Sequence, residues 1–585
     1  MQITRYPLLI LILCTLAVWG LTISFGFVWD DFPMIAMNES LHHWDTLWKG
    51  WTHDFWMLHD SPQISGYWRP MATMVHLLLT KLMGGAPWVF HLVNVFLHMM
   101  VAYFFYQFLV ELKWVKWVWI SVLFFLIHPL ASETVSFNSA IPDLLCAFFG
   151  WWAVVFWMKS TSIKNKLACT LVLLGLSFLS KESGVFFGIF ILGIEWILLR
   201  EHSPSSRKKL SFSVLGLMII YTVLHLQVTS GIGSRAIWGG SLMIHFATVV
   251  KLFLYEMFLV FVPIGSSPTR DFELGAWNQW EVWLGLTLLI GMIGSFFYFF
   301  KKNKVLAFGI FFYLVFWFPV SNIIPAEGLI ANRYMYIPSM AGAALVGFIF
   351  NNFEQFPKFM IAVLGIWGAC ASSASLAWKS SDALWRHAVE ASPKSSVAWN
   401  EYGNVLASQK KYEQALDAYT QAIQLRPEYQ EASFNRALIF FRRKDIGAKE
   451  IIQKHLRIFP NDPQAWDLLG SVFESENNIV SALEVSKKAV DLAPHQWKFR
   501  YNLASVYLKM RDYDDAILEL ERAVQFVPDQ YEVQKNLAGA YCLNANYHQC
   551  MDRYGKLLKK FPDQANELVP AIEQVKQLLK LTEGS

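Results

Sequence analysis

Charge is scarce in this chain. Only 16% of its 585 residues are Asp, Glu, Lys or Arg, against about 25% in an ordinary soluble domain. Combined with 55% hydrophobic and 16% aromatic residues, that shortage rules out one soluble domain. Cysteine is scarce as well. There are six, four of them inside apolar runs, so no disulfide framework organises the chain. No basic cluster is long enough to track a phosphate backbone, which excludes a nucleic-acid partner. The missing charge is missing mainly from one part. Residues 1–378 hold 22 Lys+Arg and 18 Asp+Glu, whereas the remaining 207 hold 27 of each, so the formal +4 belongs to the first part. The composition predicts an all-α chain, with a polytopic membrane domain over 1–378 followed by a soluble domain over 379–585.

Apolar runs long enough to cross a bilayer lie at about 7–28, 86–110, 117–135, 141–158, 166–180, 184–199, 210–228, 281–300, 305–320, 334–350 and 358–377. The first is too long for a cleaved signal peptide, lacks a small-residue cleavage site and runs into Trp29-Asp30-Asp31. Basic residues mark alternate connections as cytoplasmic: Arg5, Lys113 and Lys116, Lys159, Lys164 and Lys166, Arg200 and Arg207 to Lys209, Lys301, Lys302 and Lys304, then Lys358. The stretch 242–263 is apolar but holds Lys251 and Glu256. It is read as an interfacial or re-entrant helix that returns to the same side. About eleven crossings then leave the N-terminus cytoplasmic and everything after residue 378 outside.

The outside connections carry the chemistry. The 29–69 loop holds Asp30, Asp31, Asp45, Asp54 and Asp60 among six tryptophans, and shorter outside segments hold Glu133, Lys181-Glu182, Arg270-Asp271 and Arg333. Ionisable groups at membrane depth are costly, which makes them functional candidates. Asp30 and Asp31 sit where the first span ends. Their mutual repulsion raises one pKa and suits either to general-base work; the alternative is a solvated helix end. His91, Asn94 and His98 share one helix face by their spacing. That face serves polar packing between helices, donor recognition or, with a carboxylate brought in by folding, a divalent metal. The tryptophans form an interfacial belt or a sugar-stacking surface.

After residue 378 a period appears. Pro393, Pro427, Pro460, Pro494, Pro528 and Pro562 are spaced 34, 33, 34, 34 and 34 residues apart, with small residues in register between them, such as Gly403, Ala415 and Ala422, then Gly470, Ala482 and Ala489. That period is the tetratricopeptide signature. Five repeats are predicted, the second (about 430–460) the most degenerate, with a half-repeat at 381–393 and a cap at 566–582. Such a solenoid binds rather than catalyses. Cys542 and Cys550 face each other in the last repeat, either as core packing or as a disulfide where the compartment is oxidising.

The short motifs of the first part occur in a telling order: Trp29-Asp30-Asp31, Asp54-Phe55-Trp56, Tyr67-Trp68-Arg69-Pro70, and His91-x-x-Asn94-x-x-x-His98. His128-Pro129 with Glu133, Asp143-Leu144-Leu145, Ser180-Lys181-Glu182 and Arg333-x-x-Tyr336-x-Pro338-Ser339 follow. This order, with the solenoid behind it, resembles the transmembrane and tetratricopeptide repeat O-mannosyltransferases over nearly the whole chain. Those are C-type glycosyltransferases that take a sugar from a polyprenyl-phosphate carrier on the outer or lumenal side. Two positions depart from the family's habit: Ile141 stands where an Arg is usual, and Asn332 where an acid is common.

The resemblance implies an inverting transfer of a mannose-like sugar to hydroxyls of an acceptor, a protein recruited by the repeats. It makes Asp30 or Asp31 the general base, with Asp31 weakly preferred, and gives Glu133 a catalytic or supporting role. Arg69, Lys181 and Arg333 become candidates for the leaving phosphate or anchors at the lipid interface. His91, Asn94, His98, Asp143, Glu182 and Tyr336 complete the expected substrate-binding set. No cofactor is implied with certainty, and a divalent metal stays open. The competing readings are a non-catalytic scaffold for an envelope complex and transfer to a lipid or cell-wall polymer. The absence of a cleavable presequence and of long low-complexity tails suits a bacterial inner membrane with periplasmic repeats; a eukaryotic endoplasmic reticulum gives the same topology, with the repeats in the lumen.

Overall fold

The computed structural model describes residues 6–58, 65–113, 116–160, 163–199, 204–229, 237–263, 267–270, 272–326, 328–352 and 358–583. Arg5, Asp60, Arg200 and Asp271 lie outside them. Among the described residues every regular element is helical, as the two periodicities predicted. The chain divides into two compact units, Met1–Ala398 and Trp399–Ser585. The helix Ser381–Ala391, read from the sequence as a half-repeat, falls in the first.

In the first unit proline sets many of the helix starts. Pro7, Pro70, Pro87 and Pro338 each open a helix, where the missing N–H costs no hydrogen bond. Among the described residues seven helices are long and apolar enough to cross a membrane, Pro87–Leu112 and Trp280–Lys302 among them, and four shorter apolar helices accompany them. Their core is aromatic. Trp151 meets the edges or faces of Phe105, Phe108, Phe187, Phe190 and Phe312 at centroid distances of 5.0–5.9 Å. Gly150 makes this possible: a Cβ there would lie 2.2 Å from the Phe187 ring.

The run expected to cross at 117–135 is not one helix. Val118–Leu126 stops, and Ala131–Ser136 and the short turn Asn138–Ala140 follow before Ile141–Lys159 begins. Pro129 has no N–H to continue the ladder. His128 fixes the break: its Nε2–H donates to the Val260 carbonyl at 2.9 Å while its Nδ1 accepts from the Leu130 N–H at 3.1 Å. The break turns Glu133 and Asn138 inward, where both are buried.

The stretch 242–263 forms one 20-residue helix, Leu242–Phe261, long enough to cross. The two ends of this helix meet different partners. His245 faces the Ile323 carbonyl, just past the helix Lys304–Trp317. Val260, at the other end, faces His128 and the first turns of Pro338–Ile349. Its two ionisable side chains have local partners: Lys251 donates to the Glu273 carbonyl and to Gln279, and Glu256 accepts from the Trp317 indole at 2.9 Å.

The second unit is a run of paired helices, each 11–14 residues long, from Tyr412–Leu425 to Tyr547–Lys560, with Ala565–Glu583 behind them. Each repeat proline stands two residues past a helix end: Pro427 after Leu425, Pro494 after Leu492, Pro528 after Phe526. The small positions are close approaches. A Cβ on Gly403 would lie 2.6 Å from the Tyr419 ring. The degenerate second repeat is held by a polar clamp. Buried His455 bridges Ser433 at 2.9 Å and Asp462 at 2.8 Å, and Asp462 also caps the next helix through the N–H groups of Gln464 and Ala465. Asn435 donates to Asn400, Asn502 to Asp467, and Asn536 to Tyr501, which ties neighbouring repeats together. Cys542 and Cys550 are bonded as a disulfide, which settles the alternative left open by the sequence in favour of the cross-link.

Candidate active site

The first span ends as helix at Ser24, and the chain reaches Asp30 through extended backbone and a tight turn. Trp29 sits in the left-handed region at φ 48°, which a bulky side chain adopts only when its surroundings enforce it. Here its ring stacks on Phe137 at 5.5 Å and meets the edge of Trp385 at 5.3 Å. The kink divides two neighbouring acids. Asp31 is fully buried and Asp30 is half-buried.

Asp31 is saturated with donors. Its Oδ1 accepts from the Ser139 N–H at 2.7 Å and the Ser139 hydroxyl at 2.8 Å, and its Oδ2 from the Val28 N–H at 3.2 Å and the Asn138 amide at 3.3 Å. Burial pushes its pKa up to about 7 even against the pull of these four bonds. The preference for Asp31 as base therefore meets a physical objection, because the four bonds occupy its lone pairs.

Asn138 is the hub behind Asp31. Its amide also reaches His91 Nε2 at 3.2 Å, and its Oδ1 accepts from Asn94 at 3.3 Å. His98, on the same helix face, serves a different contact. Its Nε2–H donates to the Leu126 carbonyl at 2.9 Å and its Nδ1 accepts from the Tyr336 hydroxyl at 2.8 Å. The expected trio is thus split, two members towards Asp31 and one towards Tyr336. Among the described residues no three His, Cys, Asp or Glu side chains gather as metal ligands.

The expected cations each meet a carboxylate. Arg69 forks onto Glu182, with Nη2 to Oε2 at 3.1 Å and Nε to Oε1 at 3.4 Å, and lies 4.3 Å from the Tyr67 ring centroid. Burial raises the Glu182 pKa, but the Arg69 charge outweighs it and leaves the carboxyl below its ordinary value. Lys181 pairs with Asp143 at 2.5 Å. Arg333 pairs with Glu133, whose other oxygen accepts the Asn332 N–H at 2.8 Å. Asp143 also acts electrostatically on Arg69 and Arg333, so the three pairs share one field. Glu133 is fully buried and engaged, whereas Lys181 and Arg333 keep donors beyond their single carboxylate contacts.

One short segment joins the acidic and basic sides. Between Glu133 and Asp143 the chain binds Arg333 through Glu133, Asp31 through Asn138 and Ser139, and Lys181 through Asp143. Two residues of this segment escaped the sequence reading as site residues. Asn138 and Ser139 show only as polar residues interrupting an apolar run. Arg270 donates to the Asn332 side chain at 2.5 Å and to the Tyr255 hydroxyl at 2.7 Å, and His225 Nε2 stands 4.0 Å from Glu182. Asp54 anchors its own loop, accepting from Trp56, Ser65, Gly66 and Tyr67.

A bundle of apolar helices that brings the Arg69–Glu182, Lys181–Asp143 and Arg333–Glu133 pairs into one field, followed by paired helices at a 34-residue period, defines a multi-pass membrane protein with a tetratricopeptide solenoid. Family models described as "TPR repeat" and "Tetratricopeptide repeat" match residues 403–443 and 475–530. Relatives extend the likeness into the membrane part. A Caenorhabditis elegans protein named as a protein O-mannosyl-transferase is 23% identical over 451 residues, 72% of this chain and 63% of its own length. The human protein O-mannosyl-transferase TMTC3 is 22% identical over 549 residues, 80% of this chain and 58% of its own. The chain spans 58–63% of the length of these two relatives. The resemblance to the transmembrane and tetratricopeptide repeat O-mannosyltransferases, read from the order of short motifs, is therefore borne out. Among solved structures, YrrB, titled a TPR protein with an unusual peptide-binding site, is 19% identical with a TM-score of 0.28, covering 32% of this chain and 97% of its own.

Proposed function

We propose that the chain is an integral-membrane glycosyltransferase that moves a mannose-like sugar from a polyprenyl phosphate to Ser or Thr hydroxyls of a protein held by the repeats. The observation that carries this reading is the Glu133–Asp143 segment, which binds an acid-bearing turn and two cations within eleven residues. Asp30 is the base. It lies beside the saturated Asp31 and is the more exposed of the two. It takes the proton of the acceptor hydroxyl as that oxygen attacks the anomeric carbon. The bond from that carbon to the phosphate oxygen breaks, the electron pair leaves with the polyprenyl phosphate, and configuration inverts. Lys181 and Arg333 meet the developing charge with their remaining N–H donors.

An apolar cavity of about 300 Å³ supports a lipid-linked donor. Val260, whose carbonyl accepts from His128, lines it with Ala341 and Gly342 of the helix that follows Arg333, and Phe108, Leu112 and Phe348 line it towards the opposite ends of their helices. The disulfide supports an oxidising compartment for the repeats, as in a bacterial periplasm with the N-terminus cytoplasmic.

Labelled polyprenyl-phosphate mannose, supplied to membranes containing matched amounts of wild type, Asp30→Asn and Asp31→Asn protein, tests this reading. Label should enter protein with wild type. Asp30→Asn should lower the rate about 10²- to 10⁴-fold, the usual worth of a general base. Label in the lipid fraction would instead favour transfer to a lipid or polymer. Equal rates for wild type and Asp30→Asn would remove Asp30 from the mechanism.

A further inference from the structure

A second cavity, of about 720 Å³, opens on a different side of the first unit. Its floor is the helix Leu242–Phe261, contributing Lys251 and Tyr255. One wall is the first turn of Trp280–Lys302 with Glu281, and the other wall comes from Phe272 and Glu273. Lys394 closes the rim, on a turn that Ser392 pins to the Thr269 carbonyl at 2.9 Å. Since a candidate span starts at Trp280, this rim lies at the boundary between membrane and water.

We propose that this cavity binds the headgroup of a zwitterionic phospholipid bearing a primary ammonium. The site goes beyond the transfer reaction and does not depend on it. Both charges of such a headgroup find a partner. The Lys251 ammonium has three donors; two go to the Glu273 carbonyl at 3.2 Å and Gln279 Oε1 at 3.1 Å, and the third serves the cavity. With Lys394 it meets the phosphate. The Glu281 and Glu273 carboxylates accept N–H bonds from the ammonium, beside the faces of Phe272 and Trp280. A quaternary ammonium has no N–H to give them, and an anionic headgroup repels them. Below the headgroup the wall turns apolar and outward: Phe258 is 50% and Leu284 40% exposed, a surface for acyl chains. Tyr255 is shared with the first site, since its hydroxyl accepts from Arg270, which also holds Asn332.

The test is native mass spectrometry of the delipidated full-length chain, titrated with dioleoyl-phosphatidylethanolamine, the matching phosphatidylcholine and phosphatidylglycerol, and soluble phosphoethanolamine. Wild type should retain one phosphatidylethanolamine about tenfold more tightly than the other two lipids, the worth of one charge-assisted hydrogen bond. The double variant Glu273→Gln/Glu281→Gln should erase the preference over phosphatidylcholine. Lys394→Ala, an exposed change that leaves the fold intact, should weaken both lipids alike. Equal retention of the three lipids by wild type, or an unchanged preference in the double variant, would overturn the proposal. Soluble phosphoethanolamine binding as tightly as the lipid would overturn the membrane source and leave a free phosphoester as the ligand.

Discussion

A carboxylate accepts about four hydrogen bonds, and Asp31 meets four donors with no exposure to solvent. Burial still favours its protonated form, with a pKa of about 7 against an ordinary 3.8. The folded chain therefore holds a proton between about pH 4 and 7 that the unfolded chain releases. Stability should fall as pH rises through that window, by up to about 4 kcal/mol. Thermal unfolding in detergent should show the slope in wild type and lose it in Asp31→Asn. Glu133 behaves differently because its charge is matched by Arg333. Glu133→Ala strands that guanidinium and releases the Asn332 N–H, and should cost about 3 kcal/mol or more. The same melting experiment checks it, with Glu133→Gln falling between the two.

At the scale of elements, the small residues set how closely helices pack. Gly150 lets Ile141–Lys159 lie against Val185–Gly193, and Ile141–Lys159 is the helix whose first turn carries Asp143. Gly150→Ala must displace the Phe187 ring, so the bundle should lose about 1–3 kcal/mol and the Lys181–Asp143 pair should shift with it. A lowered melting temperature together with a raised KM for the donor is the expected outcome. A lowered melting temperature alone would confine the effect to packing. The broken stretch 118–140 is the second decisive element. Its failure to continue as a helix delivers Glu133, Asn138 and Ser139 to their partners.

For the whole molecule, two units obey different rules. The membrane unit is held by aromatic packing together with ion pairs such as Arg69–Glu182 and Lys181–Asp143, and the solenoid by contacts between successive repeats. Only the solenoid carries a disulfide; among the described residues Cys14, Cys146, Cys169 and Cys370 are thiols. Alkylation of the SDS-denatured chain without reduction should modify Cys14, Cys146, Cys169 and Cys370 and spare Cys542 and Cys550. Closing a loop of 8 residues contributes about 2 kcal/mol by restricting the unfolded chain, so Cys542→Ser/Cys550→Ser should melt the last repeat earlier. Free thiols at both positions in protein from native membranes would count against the oxidising side for the repeats.

Periodicity and composition by themselves determined the all-helical class, the apolar helices and the repeats, because each depends on spacing along one helix: a run of apolar residues, or Pro427, Pro460 and Pro494 in register with small residues. The order of short motifs determined the resemblance for a similar reason, since the motifs are contiguous. Only the tertiary structure decided what the individual site residues do. Asp30 and Asp31 are equivalent as letters; a left-handed Trp29 and the Ser139 donors leave one half-buried and the other buried and saturated. His91, Asn94 and His98 share a face, but Asn138 claims the first two and Tyr336 the third. Arg333 reaches Glu133 across 200 residues and Arg69 reaches Glu182 across 113. Pairing over such distances depends on which helices pack together, and side-chain volume in the aromatic core decides that, which no local pattern records.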